Sequence, residues 1–116
     1  MKGLFIMGKS KDYIGELEEL VLLAIIKLGT NAYGAAIHEA LEDAGRKMAI
    51  GALYTTLSRL GDKGFVDSWL GETTAERGGR AKKYFKVQAA GMRVLRETEA
   101  SRRKLSQEPS FTFGGA

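Results

Sequence analysis

Cysteine is absent from the 116 residues, which removes disulfides, zinc–thiolate sites and cysteine nucleophiles together and fits a reducing compartment. Histidine occurs once, at His38, which excludes a histidine-rich metal site, and no Ser/His/Asp constellation is recognisable in the sequence. Long apolar runs are lacking too. The longest, Leu20 to Ile26, is far short of the roughly 20 residues that cross a bilayer. Met1 to Gly8 holds one lysine and a short apolar patch but no signal-peptide core or cleavage pattern, so a cytoplasmic protein is expected. Gly78-Gly79-Arg80 lacks the strand–loop–helix setting of a phosphate-binding loop. Glu16, Glu18 and Glu19 are the nearest thing to paired acids, but they fall at a helix start, where the dipole accounts for them. No catalytic residue, cofactor or metal is expected.

What the chain does have is an uneven charge. Between Arg77 and Lys104, ten basic residues face only Glu97 and Glu99, a local charge of +8 in a chain of net +4, so the remainder carries −4. Such asymmetry suits a polyanion or an acidic surface approaching one part of the molecule. The alternative is a solvated charged face with no partner.

The stretch from Met48 to Val66 organises the rest. Leu53, Leu57 and Leu60 fall at i, i+4 and i+7, one apolar stripe along a helix of about three turns. The opposite face carries Thr55, Ser58 and Asp62, flanked by Ala52 and Arg59. None of these is bulky and apolar. Gly64 ends the helix, and Phe65 to Leu70 reads as a strand. A helix with a leucine seam and an outward Thr/Ser/Arg face, followed by a hairpin, has the form of a recognition helix with its wing; a plain surface helix is the bland reading.

The neighbours favour the first form. Asp12 is a candidate cap for a helix that holds Tyr13 and runs from Ile14 to Leu28, so apolar that more than one side must be covered, in part by a second subunit. A turn over residues 29–32 precedes a second helix from Tyr33 to Ala44, ended by Gly45, with His38 on its exposed side as an ordinary surface histidine. After the loop 71–79, Arg80 to Val87 returns as a cationic strand, with Lys82, Tyr84 and Lys86 on one face and Lys83, Phe85 and Val87 on the other. Trp69 is expected to serve packing rather than a ligand. Ala89 to Leu105 forms a last helix, weakly amphipathic through Met92, Leu95 and Thr98, which needs a packing partner.

The expected architecture is mainly α with a small β-hairpin: a winged helix-turn-helix plus a C-terminal dimerisation helix. Its parts are a flexible arm at 1–11, the winged-helix DNA-binding domain at 12–88, the dimerisation helix at 89–105 and a disordered tail at 106–116.

Four stretches also resemble the PadR-like transcriptional regulators. They are Ile14-Gly15-Glu16-Leu17 with Leu20-Val21-Leu22-Leu23-Ala24; Tyr33-Gly34 with Ile37; Gly51-Ala52-Leu53-Tyr54 with Leu57, Arg59-Leu60 and Lys63-Gly64; and Gly79-Arg80 through Lys83-Tyr84-Phe85 with Gly91. Together they span roughly residues 13–95, and the single short C-terminal helix looks like the compact branch of that family. The resemblance implies a homodimeric repressor that binds double-stranded DNA, its first and last helices building the dimer. Helix 51–63 would enter the major groove and the 70–82 wing would reach the flanking backbone or minor groove. Two departures stand out: Ala49 occupies the place of a frequent capping serine, and the last helix lacks the tryptophans between which some compact members bind planar drugs.

The expected DNA-binding residues follow. Ala52, Thr55 and Thr56 lie in the part of the helix that meets base edges, and Arg59 and Lys63 pair with phosphate or guanine. Ser58 shares their face, Tyr54 packs its ring while its hydroxyl reaches a phosphate, and Arg80 and Lys82 serve the wing. The alternative is a winged-helix protein-interaction module that sets its basic wing on an acidic partner. A small-molecule effector, unidentified, is a third element, with its site at the dimer interface.

Overall fold

The computed structural model describes residues 13–71 and 81–107. Along them run α1 (Glu16–Leu28), a single 3-10 turn (Gly29–Asn31), α2 (Gly34–Asp43), α3 (Ile50–Asp62), β1 (Val66–Leu70), β2 (Lys83–Val87) and α4 (Ala89–Ser106). The expected order of helices and hairpin holds throughout. The arm at 1–11, Asp12, the wing loop 72–80 and the last residues of the tail lie outside the described residues.

α1 begins two residues later than expected, because its start is fixed by Gly15 rather than by the residues around Asp12. The Gly15 N–H donates to Glu18 Oε1 at 3.0 Å, so a third-position carboxylate satisfies an otherwise orphaned amide. Glu18 is then buried, 6% exposed, and the Lys63 ammonium sits 3.0 Å from both of its oxygens. The dipole alone therefore does not explain the acidic start. Glu16 pairs with Arg46, and Glu19 with Arg102 at 2.6 Å.

The core is a three-helix pile closed by the hairpin. Val21, Leu22, Ala24 and Ile25 of α1 meet Ile37 and Leu41 of α2 and Leu53, Leu57 and Leu60 of α3. The three leucines of the seam are at most 2% exposed. At about 1.5–3 kcal/mol for each buried leucine, this seam fixes which face of α3 looks outward. At the end of α3 Gly64 takes φ 81°, where a side chain would be strained. The chain thereby reverses, and the Phe65 N–H reaches Leu60 O at 2.9 Å.

β1 and β2 pair antiparallel, with Trp69 opposite Tyr84 and Ser68 opposite Phe85. Tyr33 adds an isolated antiparallel bridge to Tyr84, and the Phe85 N–H donates to Ala32 O at 2.8 Å. Phe85 and Val66 are buried in the core. Their face also lines a cleft of about 200 Å³ with Tyr54, Leu57, Ser58 and Gly61 of α3. Tyr84 and Trp69, one residue out of phase, look the other way.

The apolar anchoring of α4 lies in its first half, where Gly91, Val94 and Leu95 are buried, while Arg102 ties the second half to Glu19 of α1. An added Cβ at Gly91 would stand 2.5 Å from the Phe65 carbonyl oxygen and 2.8 Å from Val87 Cγ1. The helix thus meets the wing root at a backbone-to-backbone contact. Met92 and Thr98 of the expected apolar side are only half-buried, and residues 99–106 are exposed. On α1, Leu23 and Ile26 remain 46% and 43% exposed beside this helix. No described helix is long and apolar enough to cross a membrane.

Candidate nucleic-acid interface

The outward face of α3 follows directly from its seam. Ala52, Thr55, Ser58, Arg59 and Asp62 are all exposed. Thr55 donates its hydroxyl hydrogen to Gly51 O at 3.0 Å, which ties the side chain to its own helix and leaves the methyl group and the oxygen lone pairs outward. That combination can meet a thymine methyl or a base-edge donor. Arg59 has no ion-pair partner among the described residues. A fork of five donors therefore stands one turn along from Thr55.

Three of the expected contacts have partners within the protomer. Thr56 is 3% exposed and donates to Ala52 O, so it belongs to the core side of the helix. Lys63 is held by Glu18 and by Tyr13 O at 3.4 Å, so its charge neutralises a buried carboxylate instead of facing outward. Lys82 is half-buried with Nζ 3.8 Å from the centre of the Tyr33 ring. Arg80 lies outside the described residues.

Tyr54 is 42% exposed, and its hydroxyl lies where a Cβ on Gly34 would stand. Only a glycine at the first position of α2 admits the ring, so the Tyr33-Gly34 pair and Tyr54 form one contact between the two helices. His38 is likewise no free surface residue. It is half-buried, and its Nε2 hydrogen donates to Met48 O at 2.6 Å. No side chain caps α3 at Ala49. The histidine fixes the backbone one residue earlier, but because it donates to a carbonyl it leaves the first N–H groups of α3 without a side-chain acceptor.

Lys83 is the cation that sequence reasoning passed over. It is exposed, shares the Phe85 face of the hairpin, and lines the cleft with Tyr54 and Ser58. The signal was present in the alternation of β2: once Phe85 is assigned to the core, Lys83 must stand on the side facing α3. The outward face of α3 and the root of a cationic hairpin thus adjoin, as a helix for a groove and an arm for the flanking backbone require.

The sequence profile of the transcriptional regulator PadR-like family matches residues 22–97. The chain belongs to the PadR-like family. A PadR-like transcription factor from Bacteroides fragilis is similar in structure, with a TM-score of 0.67 and 27% identity over 88% of this chain and 92% of that one. A PadR family regulator from Eggerthella lenta matches at 32% identity and a TM-score of 0.62, covering 79% and 80% of the two chains. A third, from Clostridium difficile, shares the fold at 18% identity and a TM-score of 0.63, over 78% of this chain and 91% of that one. No curated protein matches the chain. Membership makes this protein a PadR-family transcriptional regulator, a role that implies regulation through DNA. Catalysis is not the role of that family.

Proposed function

We propose that this PadR-family protein is a cytoplasmic, homodimeric repressor that reads an operator of two half-sites with α3 in successive major grooves. The observation that carries this reading is the α3 face of Ala52, Thr55, Ser58 and Arg59, exposed beside the hairpin root. Ala52 and Thr55 meet base edges and Arg59 takes a guanine or a phosphate. The Tyr54 hydroxyl and Lys83 address the backbone beside the cleft, and Lys82 and Arg80 serve the wing. Thr56 and Lys63 act from inside the protomer, holding α3 rather than touching DNA.

Dimerisation rests on surfaces that one protomer leaves open. Leu23 and Ile26 of α1 lie exposed beside Met92 and Leu95, and the second half of α4 projects without apolar cover. To read successive major grooves, a dimer built over both surfaces must set its two α3 helices about 34–36 Å apart, one turn of duplex. Any effector acting at that interface would change this spacing.

Selection of bound sequences from a random duplex library tests the reading. The expected product is a sequence with two-fold symmetry, bound with a Kd of roughly 10⁻⁸ to 10⁻¹¹ M that weakens steeply with salt. Flat binding to all duplexes at low salt, with co-purification of an acidic protein, would instead identify a protein-interaction module. Light scattering that finds a monomer at micromolar concentration would remove the dimer.

A further inference from the structure

The hairpin leaves the body of the protein through two residues, Gly71 and Lys82. The Gly71 N–H donates to Lys82 O at 2.8 Å, so these residues form the outermost rung of the hairpin among the described residues. Each is held by an aromatic ring. A Cβ on Gly71 would stand 2.5 Å from a ring carbon of Tyr84, so Tyr84 lies directly against the backbone there. On the other strand, the Lys82 ammonium rests 3.8 Å from the centre of the Tyr33 ring.

The two rings touch each other. Tyr33 meets Tyr84 edge-to-face at 5.7 Å and 65°, and Tyr84 stacks on Trp69 at 6.0 Å and 17°. Such contacts stabilise beyond the area they bury and favour fixed geometry. Tyr33 is also the residue at which two parts of the fold meet. Its backbone bridges to Tyr84 in the sheet, while its carbonyl accepts the Ile37 N–H at 2.9 Å and so opens α2. The next residue, Gly34, carries the Tyr54 ring of α3. One residue, through its ring on the hairpin side and its backbone on the helix side, therefore stands between the wing and the helices.

We infer that Tyr33 is the positioning residue of the wing: its ring holds the Lys82 ammonium in place for a DNA phosphate and sets the hairpin root relative to α3, without touching DNA itself. This rests on the DNA-binding reading above. The cation–π contact confines the lysine at a partly exposed site, and that confinement is worth about a two- to fivefold change in affinity. Lys82 remains able to turn its hydrogens to an anion, because an ammonium has three donors and the ring face engages only one side of it.

The test uses the full chain and a labelled mixed-sequence duplex, followed by fluorescence anisotropy across a salt series. Tyr33→Phe keeps the ring face and is expected to bind like the parent. Tyr33→trifluorophenylalanine keeps the shape but drains the ring of its negative face; it is expected to bind about two- to fivefold more weakly while melting at the parent temperature. In a Lys82→Ala background the same exchange is expected to change nothing, since the cation it acts through is gone. Lys82→Ala itself should lower the salt slope by about one.

Equal losses from the fluorinated ring in both backgrounds would overturn the inference, because Tyr33 would then act through the general fold. An unchanged salt slope for Lys82→Ala would overturn it as well, while leaving the α3 reading intact. Absence of any salt-dependent duplex binding by the parent protein would remove the DNA reading and this inference together.

Discussion

Replacing Lys63 by alanine separates two roles that the sequence alone cannot distinguish. The lysine lies at the C-terminal end of α3, where a cation is readily read as a phosphate contact, yet its ammonium is 3.0 Å from both oxygens of Glu18. The Glu18 side chain is 8% exposed and that of Lys63 23%. Removing one member of a buried pair typically costs about 3–5 kcal/mol, because the remaining charge is stranded. Water reaching the partly exposed lysine screens some of this, which brings the expected loss to about 2–3 kcal/mol. For a domain of this size that is a drop in Tm of roughly 10–20 °C. Urea unfolding followed by circular dichroism measures it directly. Lys63→Met combined with Glu18→Gln removes both charges and keeps an acceptor for the Gly15 N–H, so it should recover most of the loss. Operator affinity of Lys63→Ala, measured well below its melting temperature, is expected to stay within a fewfold of the parent with an unchanged salt slope. Parental stability together with a lost phosphate contact would refute the reasoning, since Lys63 would then face DNA.

Gly34→Ala should expel the Tyr54 ring and destabilise the fold by about 1–3 kcal/mol in denaturant titrations, a penalty that Tyr54→Ala is expected to abolish. Gly91→Ala forces a methyl group against the Phe65 carbonyl oxygen and Val87, so it should cost about 2–3 kcal/mol and separate α4 from the wing root, seen as loss of the dimer in light scattering. His38→Ala removes the donor to Met48 O and should lower stability by about 1–2 kcal/mol in urea, with faster hydrogen exchange at the start of α3. Leu57→Ala opens the seam and is expected to cost about 2–5 kcal/mol by calorimetry.

The parts of this account that were legible in the sequence are those written as local periodicity. Leu53, Leu57 and Leu60 announce both the helix and its buried side, so the outward placement of Thr55, Ser58 and Arg59 follows without knowledge of any neighbour. Gly64 and the alternation of Phe65 to Leu70 announce the turn and the strand just as locally. What was not legible depends on contacts between residues far apart in the chain. Thr56 lies only one residue from Thr55, and a helical wheel leaves it near the boundary; packing against the body of the fold decides that it is buried. Lys63 and Glu18 are 45 residues apart, and nothing in either segment marks them as partners. The same holds for Lys82 over Tyr33 and for Tyr54 over Gly34. A cation in a sequence is a candidate for any anion, and only the fold says which one it meets.

The central claim is that the Thr55 side of α3 enters a DNA groove while α2 does not. Because the chain has no cysteine, a single thiol placed at Thr55→Cys can carry an iron chelate that cuts nearby DNA, with Glu39→Cys on the exposed side of α2 as the control. Cleavage of the selected operator is predicted at two positions related by its symmetry, about one helical turn apart, for the Thr55 conjugate only. Equal or stronger cleavage from the Glu39 conjugate, or none from Thr55 while the protein stays bound, would contradict the account.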